Sequence, residues 1–321
     1  MWFGNYYTAA LAAATNKVFL PHKSASLRQN FLNSFIMRES CCCKYKLTKI
    51  SSTKLSKVLI SSFIEGIKIM ITLKTPEQID GIRKVCHITA DMFNALIPKI
   101  HAGMSTKQVD DMFKDYMLSH GGKPAWWRED FPGATCISIN NEVIHGVPSK
   151  KRIIKDGDLV SIDVGIDMNG YISDTTHSLL IGNVNPKVRK LQQVTEECLR
   201  AGIAACVVGN RISDIANAVY EIADRNGYGV VYDFCGHGVG LDVHEDPSVP
   251  NCPFHGANPR IKPGMVLAIE PMINLGVPDV EEAGDGWTIL TADGKVSCHE
   301  EHTVAVFEDH TEVLTALDYK N

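Results

Sequence analysis

The amino-acid sequence predicts an α/β fold made of two similar halves, each with two helices followed by strands. An internal repeat carries this prediction. Apolar residues and glycines from Ile97 to Gly121 match those from Ile203 to Gly227, and Lys155–Asp163 matches Lys262–Glu270 at nearly the same offset. A nearly constant offset over such a length indicates a duplicated structural unit.

The two halves are expected to span about 75–183 and 184–318 and to pack around a pseudo-two-fold axis. Asp163 and Glu270 occupy equivalent positions in the repeat. Carboxylates in equivalent positions near such an axis would face one another.

The first half is predicted to open with two helices. Thr75-Pro76-Glu77-Gln78 is a capping box with proline at the first helical position, and apolar residues then recur at helical spacing. A second helix is expected to follow Ser105 and to end at Gly121-Gly122.

A β-hairpin is predicted over Leu159–Leu180, because Asn169-Gly170 is a strong two-residue turn signal. This turn sets Gly165 opposite Asp174, so that Asp163 and Asp174 share one face of the hairpin as diagonal neighbours. Two such carboxylates could bridge a pair of metal ions. The alternative, in which both face water on the polar side of a sheet, stays open from the hairpin alone.

The second half supplies further metal-ligand types. Glycines flank His237, His244 follows seven residues later, Glu270 ends an apolar run before a proline, and Glu301 precedes a predicted last strand. Together with the hairpin these residues give four carboxylates and one imidazole, a set suited to two hard or borderline divalent ions.

Residues 1–70 are predicted to form a separate, disordered extension before a domain at 71–321. The first 69 residues contain ten Lys or Arg and two acids, a net charge of +8, so the rest of the chain carries −13. This composition is typical of an organellar transit peptide. A misplaced start is the alternative, since Met70 directly precedes the domain.

Composition restricts the partners. A net charge of −5 gives no reason to expect DNA binding. The sequence contains no run of about 18 apolar residues, so no membrane-spanning helix is predicted. The ten cysteines form no C-x-x-C pair, which fits reduced thiols in a cytoplasmic protein. We expect a monomer.

The ordered motifs resemble type I methionine aminopeptidases over roughly residues 72–318. The matching residues include Cys136-Ile-Ser-Ile-Asn140, His145-Gly-Val-Pro148, Asp163, Asp174, Gly236-His-Gly238, His244, Ile269-Glu-Pro271, Trp287 and Glu301-His302. The resemblance implies the pita-bread fold, two pseudo-symmetric halves around a dinuclear metal site. It also implies removal of the N-terminal methionine from nascent polypeptides with a small second residue, and contact with the ribosome is an open alternative.

The resemblance also implies a role for each matching residue. The metal ligands would be Asp163, Asp174, His237, Glu270 and Glu301. His145 and His244 would contact the substrate and take part in catalysis with Glu270, while Cys136 and Trp287 would line the methionine pocket. Two ions are expected, from Mn, Fe, Co or Zn.

The sequence departs from the family at two places. Cys252 stands where an aromatic residue or valine is usual, and Ala125–Phe131 replaces a tyrosine-containing stretch at the pocket rim. Trp126 and Trp127 could therefore cover the pocket or pack in the core, and the role of Arg128 is open. The rival interpretation is a proline-specific peptidase of the same fold, which usually has a large preceding domain.

Overall fold

The computed structural model of the chain describes residues 70–317, so the predicted extension lies outside the described residues except for Met70. In this range the helices are α1 (Pro76–Leu96), α2 (Thr106–Ser119), α3 (Pro186–Ala205) and α4 (Ile212–Arg225). The strands are β1 (Lys123–Pro124), β2 (Cys136–Ile139), β3 (Glu142–Ile144), β4 (Leu159–Met168), β5 (Tyr171–Leu180), β6 (Gly229–Val230), β7 (Gly236–Gly238), β8 (Glu245–Val249), β9 (Val266–Ile269), β10 (Met272–Asn274), β11 (Val280–Glu282), β12 (Ile289–Thr291), β13 (Ser297–His299), β14 (His302–Val306) and β15 (Thr311–Val313).

Both predicted helices of the first half begin where their capping signals lie. The Thr75 hydroxyl accepts a hydrogen bond from the Gln78 N–H at 3.3 Å, and the Gln78 side chain accepts from the Thr75 N–H. Ser105 and Gln108 form the same reciprocal arrangement before α2. These caps satisfy backbone donors that the first turn of a helix leaves free.

The hairpin of β4 and β5 has the predicted register. Asn169 and Gly170 adopt positive φ angles of 55° and 82°, as a two-residue turn between twisted strands requires. Pairing then runs without interruption from Met168 opposite Tyr171 to Leu159 opposite Leu180. Two ten-residue strands therefore form the centre of the first half.

Helices cover a sheet in each half. In the first half β4 pairs with β1, β2 and β5, and α1 packs on both β4 and β5 around buried residues such as Phe93 and Ile162. In the second half the strand order is β15-β14-β9-β7-β8, and α3 packs against α4 and β9. The repeated arrangement of two helices before paired strands agrees with the predicted duplication.

One sequence expectation about the strands is wrong. The run after Glu301 forms β14, but β14 is not the last strand in the described range, because β15 follows and pairs with it, Val304 opposite Val313. There are two smaller sheets: β13-β10-β6 lies within the second half, whereas β11-β12-β3 joins two strands of the second half to β3 of the first half. They combine strands from distant parts of the sequence, which local periodicity does not reveal.

Among residues 70–317, no helix has the length and apolar character that crossing a bilayer requires. The seven cysteines in this range are free thiols, and six of them are buried.

Candidate metal centre

The β4–β5 hairpin places two carboxylates on one face. Gly165 lies opposite Asp174, and Asp163 lies between Thr176 on β5 and Cys136 on β2. Asp163 and Asp174 are therefore the diagonal neighbours that the turn predicted. The whole Asp174 residue is 2% exposed, whereas Asp163 is half-buried with its Oδ1 enclosed.

A shared register brings Glu270 opposite Glu301. His302 pairs with Ile269 between β14 and β9, and His299 pairs with Met272 between β13 and β10. The two ladders continue the same register on either side of Glu270 and Pro271. Glu270, which follows β9, and Glu301, which precedes β14, therefore lie opposite each other.

Glycines make room for His237 on β7. A β-carbon added at Gly236 would lie 2.3 Å from the carbonyl oxygen of Ala268, and one added at Gly238 would lie 2.4 Å from that of Asp246. Only glycine lets the neighbouring strands approach this closely. His237 Nδ1 donates to the Gly238 carbonyl oxygen at 2.9 Å, which leaves its Nε2 as the free ligand atom.

Side chains from both halves converge at this point. Potential ligand atoms of Asp174, His237 and Glu301 all lie within 4.8 Å of one another. His237 Nε2 is 3.6 Å from Asp174 Oδ2 and 3.4 Å from Glu270 Oε1. The Thr176 hydroxyl, which faces Asp163 across the hairpin, donates to Glu301 Oε2 at 2.9 Å.

Three oxygens of this cluster fit a bound cation. Asp163 Oδ1, Asp174 Oδ1 and Glu301 Oε1 are buried and accept no hydrogen bond from the described residues. Buried carboxylate oxygens without donors are costly unless a cation neutralises them. Four carboxylates and one imidazole are a donor set suited to divalent ions such as Mn(II) or Fe(II).

Electrostatics of the cluster lead to the same conclusion. Burial, followed by the charges of Glu301, Asp163 and Glu270, raises the pKa of Asp174 well above its usual range. Burial raises the pKa of Asp163 to about 6 and also raises the pKa values of Glu270 and Glu301. Burial lowers the pKa of His237 to about 3, so its imidazole is neutral and able to bind a cation.

His244 lies beside the cluster on a loop held by a buried ion pair. Its ring centre is 4.5 Å from that of His237, and its Nδ1 is 3.7 Å from Glu129 Oε1. The neighbouring Glu245 accepts hydrogen bonds from the N–H groups at 241 and 242 and pairs with Lys74 Nζ at 2.8 Å. These contacts fix the loop that presents His244.

An apolar cluster borders the carboxylates. Cys136 and Phe131 are buried in one cluster that Trp287 partly covers, and the Phe131 and Trp287 rings meet edge to face with centres 5.2 Å apart. Two tryptophans lie in Ala125–Phe131, the segment in which the sequence departs from the family. Trp126 is buried and its indole N–H donates to the Asp163 carbonyl oxygen at 3.4 Å, whereas Trp127 is 46% exposed. Trp126 thus packs beneath the site.

Three further residues from the sequence analysis have defined surroundings. His145 adopts a positive φ of 57°, a conformation that non-glycine residues rarely take, and its ring centre is 6.0 Å from that of Phe234. Arg128 binds Asp167 at 2.8 Å and lies 3.3 Å from Asp242, so it joins the rim segment to the His244 loop. Cys252 is buried in an apolar cluster of the second half.

Comparison with known proteins decides the family. The sequence model of metallopeptidase family M24 matches residues 80–308. A methionine aminopeptidase of Treponema pallidum is 57% identical over 247 residues, which cover 77% of this chain and 96% of that protein. The chain belongs to the methionine aminopeptidase family of M24 metallopeptidases.

Solved structures agree with this membership. Methionine aminopeptidase from Rickettsia prowazekii superposes with a TM-score of 0.74 at 33% identity, covering 77% of this chain and all of that one. The predicted bacterial-type family and its pita-bread fold are confirmed. Membership of this family makes the chain a metallo-aminopeptidase that binds divalent metal.

The rival interpretation has less support. Prolidase from Pyrococcus furiosus superposes with a TM-score of 0.61 at 28% identity, and the match covers 69% of that chain. Both measures are lower than those of the methionine aminopeptidases. The shared fold explains this likeness.

One residue near the cluster was missed by sequence reasoning. His299 is 3% exposed and its Nε2 lies 3.3 Å from Glu270 Oε2. A signal existed, because His299 stands two residues before Glu301 in an extended segment, and alternation places both on one face.

Proposed function

We propose that this chain removes the N-terminal methionine from nascent proteins and peptides and prefers a small second residue. The observation that carries the proposal is the buried convergence of Asp174, His237 and Glu301, with carboxylate oxygens that lack donors. Relatives named methionine aminopeptidase support the choice of substrate. Nascent chains in the cytoplasm would be the source of that substrate.

Five residues would hold two divalent ions: Asp163, Asp174, His237, Glu270 and Glu301. Their proximity and burial support this ligand set. Bound ions of this kind polarise a scissile carbonyl and make hydroxide available near neutral pH. The identity of the ions is part of the proposal, with Mn(II), Fe(II), Co(II) and Zn(II) as candidates.

The protein's own groups would move the proton and stabilise the developing charge. Glu270, whose Oε1 faces His237 Nε2 at 3.4 Å, would accept the proton of the attacking water and pass it to the leaving amine. His244 would donate a hydrogen bond to the oxyanion that forms on the substrate carbonyl. His145 would contact the amide beyond the scissile bond.

The apolar cluster of Cys136, Phe131 and Trp287 would form the slot that selects methionine. Cys136 and Phe131 are buried beside the carboxylates, and Trp287 packs on them with part of its surface free. An unbranched thioether side chain fits such a slot because it adapts its shape and makes favourable contacts with aromatic rings. Methionine buried there would place its carbonyl next to the ligand cluster.

A peptide assay with defined metals tests the proposal. The chelated protein would be reconstituted separately with Mn(II), Fe(II), Co(II) or Zn(II) and given Met-Ala-Ser, Met-Leu-Ser or Ala-Pro. We expect release of methionine from Met-Ala-Ser with at least one metal, less release from Met-Leu-Ser, and none without metal. Cleavage of Ala-Pro without release of methionine would support the proline-specific alternative instead.

The chain is also proposed to consist of an extension at 1–70 and one metallopeptidase domain at 71–321. Mass spectrometry of the native N-terminus tests this division, because a transit peptide would be absent from the mature protein.

A further inference from the structure

His299 lies where it can control the orientation of Glu270. The alternation of β13 puts its side chain on the same face as Glu301, and the shared register makes it the diagonal neighbour of Glu270. His299 is buried, and its Nε2 is 3.3 Å from Glu270 Oε2. This buried nitrogen makes no hydrogen bond with any described residue, and Glu270 Oε2 is the carboxylate oxygen within reach of it.

The two oxygens of Glu270 therefore have different surroundings. Oε1 lies 3.4 Å from His237 Nε2, toward the ligand cluster, whereas Oε2 faces His299. A neutral imidazole carries a single proton, on one of its two ring nitrogens. A neutral imidazole that donates to a carboxylate needs that proton on the nitrogen facing it.

We propose that His299 is a positioning residue that donates its Nε2–H to Glu270 Oε2 and so turns Oε1 toward the metal site. The inference rests on the proposed function, because it assigns Glu270 to the metals and to proton transfer. Oε2 keeps a further lone pair for a proton, since each carboxylate oxygen can accept more than one hydrogen bond. Residues that orient ligands in this way affect metal affinity and activity by about 10–100-fold.

Two variants separate positioning from simple packing. His299→Gln keeps an N–H donor of similar reach, whereas His299→Leu keeps apolar volume and loses the donor. His177→Leu is the matched control, because His177 is also buried and its Nδ1 lies 3.6 Å from a different acid, Glu300. His177→Leu is expected to lower stability without changing the metal affinity of the folded protein.

The first measurement is calorimetric titration of the chelated proteins with Mn(II). We expect His299→Leu to weaken binding by about 10–100-fold at unchanged stoichiometry, and His299→Gln to stay within about threefold of the parent. In the peptide assay, His299→Leu should have a lower kcat than the parent and an unchanged KM. A lower stoichiometry of Mn(II) binding in both variants would show that His299 is itself a ligand, which would overturn the positioning role. An equal loss of Mn(II) affinity in His299→Gln and His299→Leu would overturn it as well.

The second measurement does not depend on activity. Nitrogen-15 NMR of the metal-free protein should show the His299 proton on Nε2, with the signal assigned by its loss in His299→Gln. A proton on Nδ1 would overturn the proposal. If the parent protein releases no methionine with any metal, the proposed function fails, while the titration and the spectrum still decide the role of His299.

Discussion

Replacing Asp174 by asparagine should change stability in opposite directions with and without metal. Ligand atoms of Asp174 and Glu301 lie within 4.8 Å of each other. Two full charges at that distance repel by about 3.5 kcal/mol at an effective dielectric constant of about 20. Because the raised pKa of Asp174 relieves most of this repulsion, we expect Asp174→Asn to stabilise the metal-free protein by about 1 kcal/mol.

Metal should reverse the order. A ligand at about 100 times its Kd stabilises a protein by about 2.7 kcal/mol, and about 1 kcal/mol shifts the Tm of a domain of this size by about 2–4 °C. The parent should therefore gain about 5–11 °C on adding metal. Asp174→Asn removes one of the proposed ligands, so this variant should gain less than about 2 °C.

Differential scanning calorimetry in EDTA and then in excess MnCl₂ measures both effects on the same samples. Asp309→Asn is the control, since the Asp309 side chain is 86% exposed and lies outside the cluster. A lower Tm of Asp174→Asn in EDTA would show that the buried carboxylates do not repel one another. A full metal-induced shift in this variant would remove Asp174 from the ligand set.

Three further variants test other parts of the site. His244→Ala should lower kcat by about 10²-fold or more, as loss of one oxyanion donor does, and an unchanged kcat would exclude that role. Trp287→Ala should raise KM for Met-Ala-Ser, whereas the same change at exposed Trp127 should not; equal effects would argue against the slot. Gly236→Ala should destabilise the fold by more than about 2 kcal/mol in urea unfolding, because its new methyl group overlaps a carbonyl oxygen. Gly284→Ala, which meets no atom within 4 Å, is the neutral comparison for that variant.

The sequence predicts the hairpin accurately because a two-residue turn determines everything that follows it. Once Asn169 and Gly170 form the loop, each pairing partner along β4 and β5 is determined, including Gly165 opposite Asp174. The internal repeat also predicts that the two halves have similar structures. Local signals of this kind suffice where the interacting residues are close in the chain.

Contacts between the halves were not predictable in the same way. The pairing of Lys74 with Glu245, which supports the His244 loop, joins residues 171 positions apart. The sequence held a weak signal for His299, since alternation places it on the same face as Glu301. Nothing in the sequence indicated that Glu270 would lie opposite the segment that carries these two residues. The register between distant strands depends on tertiary packing, and the sequence of one strand does not determine it.

The cross-strand bond between Thr176 and Glu301 has a kinetic consequence. These residues lie 125 positions apart, and the proposed metal ligands come from both sides of that contact. The proposed coordination sphere is therefore complete only after the two halves have docked, and we expect that step late in folding because contacts of large sequence separation carry a high loop-closure cost. Bound metal should consequently slow unfolding while leaving the rate of folding nearly unchanged, because interactions absent from the transition state act on the unfolding rate.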